Sequence, residues 1–153
     1  MGQQRLDIHS LDPHATQAVL AMEKYVRNSG LDPRLYELVK IRASQLNGCA
    51  FCLDMHNRDA RKRGEDQRRL DVLAAWREAP DLFTTAERAA LAFTEAVTRI
   101  GDAGVPDAVW NDLAAEFGEE EIVRLMMAVA TINVWNRLAV ATHQQLPDVA
   151  ADS

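Results

Sequence analysis

The stretch that decides the fold is NGCAFCLDMHNRDARKRGE, Asn47 to Glu65. It opens on Asn-Gly, a pair suited to ending a helix because glycine takes the left-handed conformation without strain. It closes on Arg58, Arg61, Lys62 and Arg63 followed by Gly64, cations that complement a helix C-terminus and then a second stop. Nothing between the stops alternates like a strand. The segment therefore reads as one helix from about Cys49, running back antiparallel to the helix before Asn47. The chain's only two cysteines, Cys49 and Cys52, lie on it together with His56.

Working outward, every long segment has helical periodicity. Asp32 followed by Pro33 is a helix start, a side-chain oxygen to cap and a proline at the first helical position. That helix runs through Ala43 or Leu46 and ends at Asn47-Gly48. An earlier helix spans about Pro13 to Arg27 and stops at Asn28–Gly30. Downstream, one covers roughly Asp66 to Glu78, and Thr84–Glu87 (TTAE) opens another with capping-box spacing, reaching about Ile100. The loop Gly101–Asp107 precedes helices at Pro106–Phe117 and Glu119–Gln145. No repeat, linker or low-complexity tract interrupts the pattern. The expectation is a single all-α domain over residues 1–153.

The last helix has two apolar stripes. Ile122, Leu125, Met126, Val129 and Ile132 form one, and Val123, Met127, Ala130, Val134 and Leu138 the other. A helix apolar on both sides is central in its fold or packed against another subunit. Asn133, Asn136 and Arg137 interrupt it, and buried groups of that kind need partners; hydrogen bonding between helices is the plain reading.

A chain of 153 residues can bury a core without disulfide staples. The net charge of −6 and the lack of basic patches interleaved with aromatics argue against a nucleic-acid surface. The N-terminus MGQQRLDIHS has no apolar signal core, and Leu6 stands where a myristoylation motif requires Ser or Thr. The most apolar run, Leu125–Val134, is about half a membrane span. A soluble, cytoplasmic protein without a membrane partner is expected, and the close cysteine pair fits a redox or metal role in a reducing compartment.

At ~100° per residue, Cys49, Cys52 and His56 fall within about 60° of one another on a helix. Cys52 and His56 are (i, i+4) neighbours. Cys49 lies in the first turn, where free backbone N–H groups and the dipole favour a thiolate, the form that attacks peroxides and disulfides. The spacing also lets the two sulfurs bond with small adjustment. If Asn47-Gly48 turns an antiparallel pair, Glu37 lies ~14 Å back from the turn and His56 roughly 12 Å along the returning helix. The carboxylate then stands level with the imidazole and can orient it or relay its proton.

Plainer readings fit the same residues: cysteine as a small buried hydrophobe, histidine as a satisfied core residue, glutamate as a solvated group. Zinc is the rival chemistry, with two thiols, an imidazole and a carboxylate as four ligands. All of these except Glu37 share one helical face, where tetrahedral closure is hard, so no bound metal is expected. The basic residues Arg58–Arg63 read as a solvated helix terminus.

Glu37, Cys49, Cys52 and His56 in this spacing resemble the redox motif of the alkylhydroperoxidase D branch of the carboxymuconolactone decarboxylase family. KIRASQLNGCAFCLDMH, AERAALAFTEA and INVWNRLAV are similar to that family too, so the resemblance covers about Leu35 to Val140. It implies an all-helical homo-trimer or homo-hexamer with helices packed between subunits, and a thiol peroxidase with no bound cofactor. In that scheme Cys52 attacks a small hydroperoxide, activated through His56 and Glu37, and Cys49 resolves the sulfenic acid to a disulfide. An external dithiol, of the lipoyl type in the best-known member, reduces the pair. Position 51 is Phe where that member has a second histidine. The decarboxylases of the family lack the cysteine pair, which points away from lactone decarboxylation. The alternatives are a dithiol–disulfide oxidoreductase or redox sensor acting on proteins, and a non-catalytic metal-binding or structural oligomer.

Overall fold

Local capping chemistry sets most of the helix boundaries. In the computed structural model, which describes residues 3–147, a short turn α1 (Ile8–Leu11) leads into α2 (Pro13–Asn28), whose first N–H groups donate to the Asp12 carboxylate. Asp32 caps α3 (Pro33–Asn47) by accepting from Leu35 N–H at 2.8 Å, and Gly48 ends it at φ +64°. Then come α4 (Ala50–Lys62) and α5 (Gln67–Val72), the latter capped by Asp66. The capping box of Thr84 and Glu87 starts α6 (Thr85–Thr98), and α7 (Asp107–Glu116) and α8 (Glu119–Thr142) complete the chain. Among the described residues there is no strand.

The segment expected as one helix from Asp66 to Glu78 is broken. It becomes 3₁₀ from Leu73 to Glu78, with Ala75 out of helical geometry at φ −118°. The physical reason is long-range: Trp76 Nε1 donates to Glu95 on α6 at 2.9 Å, and Arg77 pairs with the same carboxylate. The last helix is also shorter than expected. It ends at Thr142 because His143 adopts the left-handed conformation, at φ +55°.

Helix α3 is the axis of the fold, packing against α4, α6 and α8. Leu35 and Val39 face one core with Phe93, Leu113, Leu125 and Val129, whereas Leu38 and Ile41 face a second with Leu70, Leu73, Trp76 and Leu91. A third side carries Glu37, Lys40 and Ser44, at i, i+3 and i+7, and it too is buried. A polar stripe on an enclosed helix requires polar partners, and α4 and α8 supply them. Helix α8 is long and apolar enough to cross a membrane by length and composition, but half of its apolar window is buried inside the fold. Ile122, Leu125, Val129 and Ile132 are enclosed, while Met126 from the same expected stripe is exposed, as is Val123 from the other.

Candidate active site

The turn at Asn47-Gly48 folds α4 back along α3, and Cys49 becomes the N-cap of α4 rather than a residue of its first turn. Its sulfur takes the place that a serine or aspartate oxygen holds in ordinary caps, accepting from Cys52 N–H at 3.4 Å. Both cysteines are free and buried. The buried stripe of α4 continues from Cys52 to His56 and Ala60.

Glu37 and His56 meet, with Oε2 and Nδ1 3.3 Å apart. Neither atom makes an aligned hydrogen bond, so the contact is electrostatic in the first instance. Glu37 is 2 % exposed and Lys40 3 %, and the ammonium donates to Glu37 Oε1 at 2.9 Å while lying 4.0 Å from the centre of the Tyr36 ring. Arg63 reaches the same oxygen at 3.4 Å. Burial pushes the Glu37 pKa up, but the contacts from His56 and Lys40 outweigh it and hold the carboxyl below its ordinary range. Glu37 is an anion at neutral pH.

The two thiols are unequal. Cys49 is lowered to about 7, chiefly by a hydrogen bond from the Cys52 thiol against the effect of burial, with the Cys52 backbone N–H and the Asn136 side chain assisting. Cys52 is raised, because its thiol is the donor to Cys49, because it is buried, and because a charged Cys49 repels a second charge. The pair gives up its first proton at Cys49, so the first negative charge falls there.

Each sulfur has its own cleft. Cys52 and His56 line one of about 260 Å³ whose walls include Leu20, Phe51, Met55 and Trp135. Glu23, Arg27 and Asp59 are the charged groups around it. Cys49 lines a second, of about 210 Å³, together with Gly48, Val140 and His143. Phe51, Ala139 and Gln144 line both and so divide them.

Among the described residues, Glu37, His56 and Asp59 are the one group whose ligand atoms lie within 4.8 Å of one another in the manner of a metal site. The cysteines are not part of it. Lys40 and Arg63 already neutralise Glu37, so a cation there competes with two resident positive charges.

Of the four residues expected at the site, Glu37 and His56 are in contact, Cys49 and Cys52 are in contact, and Cys52 and His56 share a cleft. Reasoning from the sequence missed Lys40, although its place three residues after Glu37 puts it on the same face of the helix. The basic terminus is solvated as expected, with Arg63 48% exposed, yet Arg63 Nε still lies 3.4 Å from Glu37, and Arg58 pairs with Asp54 at 2.7 Å. Asn136, whose side chain acts on both thiols, was read only as a helix-to-helix contact.

The carboxymuconolactone decarboxylase family profile matches residues 13–96 of this chain. The chain belongs to that family. Within the carboxymuconolactone decarboxylase family its likeness is to the alkylhydroperoxidase D (AhpD) branch. A crystal structure of a protein of unknown function from Agrobacterium tumefaciens, whose name proposes an AhpD antioxidant-defence role, superposes with a TM-score of 0.92. The two are 42% identical, over 95% of this chain and 99% of that one. YdfG of Bacillus subtilis (strain 168), an uncharacterized protein, is 41% identical over 138 residues, 90% of this chain and 93% of its own length. The debrominase Bmp8 shares the fold with a TM-score of 0.79 at 22% identity, covering 90% of this chain and 74% of that one.

Proposed function

We propose that the protein is a thiol-dependent hydroperoxidase whose Cys49–Cys52 pair cycles between dithiol and disulfide. The observation that carries this is the position of Cys52, in one cleft with His56, whose other ring nitrogen is backed by the buried anion Glu37. Membership of the AhpD-like branch supports it. A proton leaves Cys52 for His56, directly or by way of Cys49, and the Cys52 thiolate attacks the terminal peroxide oxygen. The O–O bond breaks, protonated His56 supplies the leaving alkoxide with its proton, and Cys52 becomes a sulfenic acid. The Cys49 thiolate then displaces hydroxide, which takes a proton from solvent, and the disulfide that forms stops oxidation short of sulfinic acid. An external dithiol returns both electrons by exchange. Glu37 holds the imidazolium that forms in between.

Mass spectrometry of the reduced protein after an organic hydroperoxide tests the cycle. The expected result is loss of two hydrogens at Cys49 and Cys52, with multiple turnovers once a lipoyl-type dithiol is supplied. In Cys49→Ser, one equivalent of peroxide should be consumed and a sulfenic acid trapped at Cys52. Cys52→Ser should be inert to peroxide. A sulfenic acid trapped only at Cys49 reverses the two roles.

One observation favours a second reading. The thiol that ionises first is Cys49, the helix N-cap, which lines its own cleft. That arrangement suits thiol–disulfide exchange with an external disulfide. Faster turnover of a small disulfide than of any hydroperoxide would select this oxidoreductase reading.

A further inference from the structure

The dithiol has a partner on α8 that the mechanism above does not use. Asn136 is completely buried one turn before Ala139, which packs against Cys49 and Cys52, and it bonds Ser44, whose carbonyl holds the Cys49 N–H at 3.0 Å. An asparagine amide has one accepting and one donating end, and which end meets the sulfurs decides whether it favours or opposes a thiolate. Hydrogen bonds on both sides settle the direction.

On the far side, Asn133 Nδ2 donates to Thr98 Oγ1 and to Val129 O, both at 2.9 Å, so its Oδ1 is an acceptor, which Arg137 also holds at 2.6 Å. Asn47 Nδ2 therefore donates, to Asn133 Oδ1 at 3.0 Å and to Asn136 Oδ1 at 2.9 Å. On the near side, Ser44 spends its only proton on Lys40 O at 2.7 Å. Its oxygen can then only accept, and it does so from Asn136 Nδ2 at 2.9 Å. Asn136 thus has its oxygen taken by Asn47 and one amide hydrogen taken by Ser44. The second hydrogen has no oxygen to meet among the described residues, and it belongs to a helix whose next turn, at Ala139, packs against both sulfurs.

We infer that Asn136 is a dedicated thiolate donor, and that Asn47 and Asn133 are positioning residues that keep its N–H, rather than its carbonyl, toward Cys49 and Cys52. The inference deepens the dithiol reading and rests on it. A hydrogen bond to the charged form of either sulfur stabilises that form, and Asn136 lowers both thiols in this structure. A donor shared by the two sulfurs serves both half-cycles: it follows the charge from Cys49 to Cys52 before peroxide attack. It then receives the charge on whichever sulfur leaves when the disulfide is reduced. The other groups facing the pair are His56 and, across the Cys52 cleft, Glu23, Arg27 and Asp59, with His143 beside Cys49. None of these lies on α8, so the helix acts on the sulfurs through Asn136.

The test is the pH profile of iodoacetamide alkylation of the fully reduced protein, mapped by mass spectrometry to Cys49. Asn136→Ala should raise the midpoint by about one pH unit, equivalent to roughly tenfold slower alkylation at a fixed pH below it. Asn47→Ala should move it in the same direction by less, because Asn136 is then free to turn. Ser44→Ala takes away the other hydrogen's acceptor and should leave the midpoint in place. A folded Asn136→Ala protein with an unmoved midpoint overturns the inference, and so does a Ser44→Ala shift as large as that of Asn136→Ala. If Asn136→Ala does not fold, Asn47→Ala decides: a raised midpoint supports the inference and an unmoved one overturns it. No peroxide enters the measurement, so a failure of the peroxidase reading shows separately, as absent turnover with a normal alkylation profile.

Discussion

His56 meets the Glu37 carboxylate through Nδ1, which leaves Nε2 as the ring nitrogen for the cleft it shares with Cys52. A base so placed matters most where the thiol is still protonated. His56→Ala is therefore expected to slow peroxide consumption by about 10²-fold near neutral pH. The deficit should shrink at alkaline pH, where Cys49 is fully charged and takes the Cys52 proton in place of His56; a deficit constant across the profile would remove His56 from the proton path. Glu37 and Lys40 make a second argument at this scale. They are a buried ion pair at 2.9 Å, and removing one member of such a pair costs about 3–5 kcal/mol because the other charge is stranded. Glu37→Gln and Lys40→Met should each lower the stability measured by urea unfolding by roughly that amount. The double variant should recover much of the loss, since neither charge is then left buried alone. Additive losses would mean that Arg63 and Tyr36, not Glu37 and Lys40 together, carry the balance.

The α3–α4 pair shows how one backbone position serves a site made of side chains. Gly48 sits at φ +64° between the end of α3 and the N-cap sulfur of Cys49, with nothing within 4 Å of where a Cβ would stand. Gly48→Ala meets no clash and carries only the left-handed backbone cost, about 1–2 kcal/mol, which should appear in thermal or urea unfolding without loss of helix. A loss of the Cys49 N-cap would show in addition as a raised alkylation midpoint. This pair was also the most legible part of the sequence. Asp32-Pro33, Asn47-Gly48 and Thr84–Glu87 are local signals, and the structure places caps at each. The spacing of Cys49, Cys52 and His56 is local too, and Glu37 followed from the turn alone. What escaped was carried by distant partners. The break at Ala75 has no glycine or proline to announce it, because Glu95 on another helix captures Trp76 and Arg77. Asn136 reaches Asn47 across 89 positions, a separation at which periodicity is silent. Lys40 was missed for the same reason: a charge is usually solvated, and only packing shows where it is not.

Taken as a whole, the molecule concentrates buried charge on one side of α3, and its response to acid follows from that. Folded Glu37 ionises at lower pH than unfolded Glu37, so the stability it contributes is complete above its ordinary value of 4.5. That contribution disappears as the pH falls below 4.5 through the depressed folded value. Urea midpoints should decline over that window, and Glu37→Gln should flatten the decline; an unchanged slope would place the acid sensitivity elsewhere, with Glu95 the next carboxylate held low. The outer surface of α8 makes the last prediction. Val123 and Met126 are 52% and 40% exposed, Ala130 and Val134 continue the same stripe only partly covered, and Val140 is exposed beyond them. A 24-residue helix whose inner face is already filled by Ile122, Leu125, Val129 and Ile132 has no intramolecular reason for this second apolar face. Association of identical chains through it is the expected use, which closed symmetry satisfies with one patch repeated on every subunit. Light scattering should give a mass that is a multiple of 17.1 kDa at micromolar concentration. Val123→Glu combined with Met126→Lys should reduce it to one chain while leaving the helix content and the Cys49 alkylation profile unchanged, because neither residue lines either cleft. A wild-type monomer would refute the expectation, and an oligomer that survives the double substitution would move the interface off this stripe.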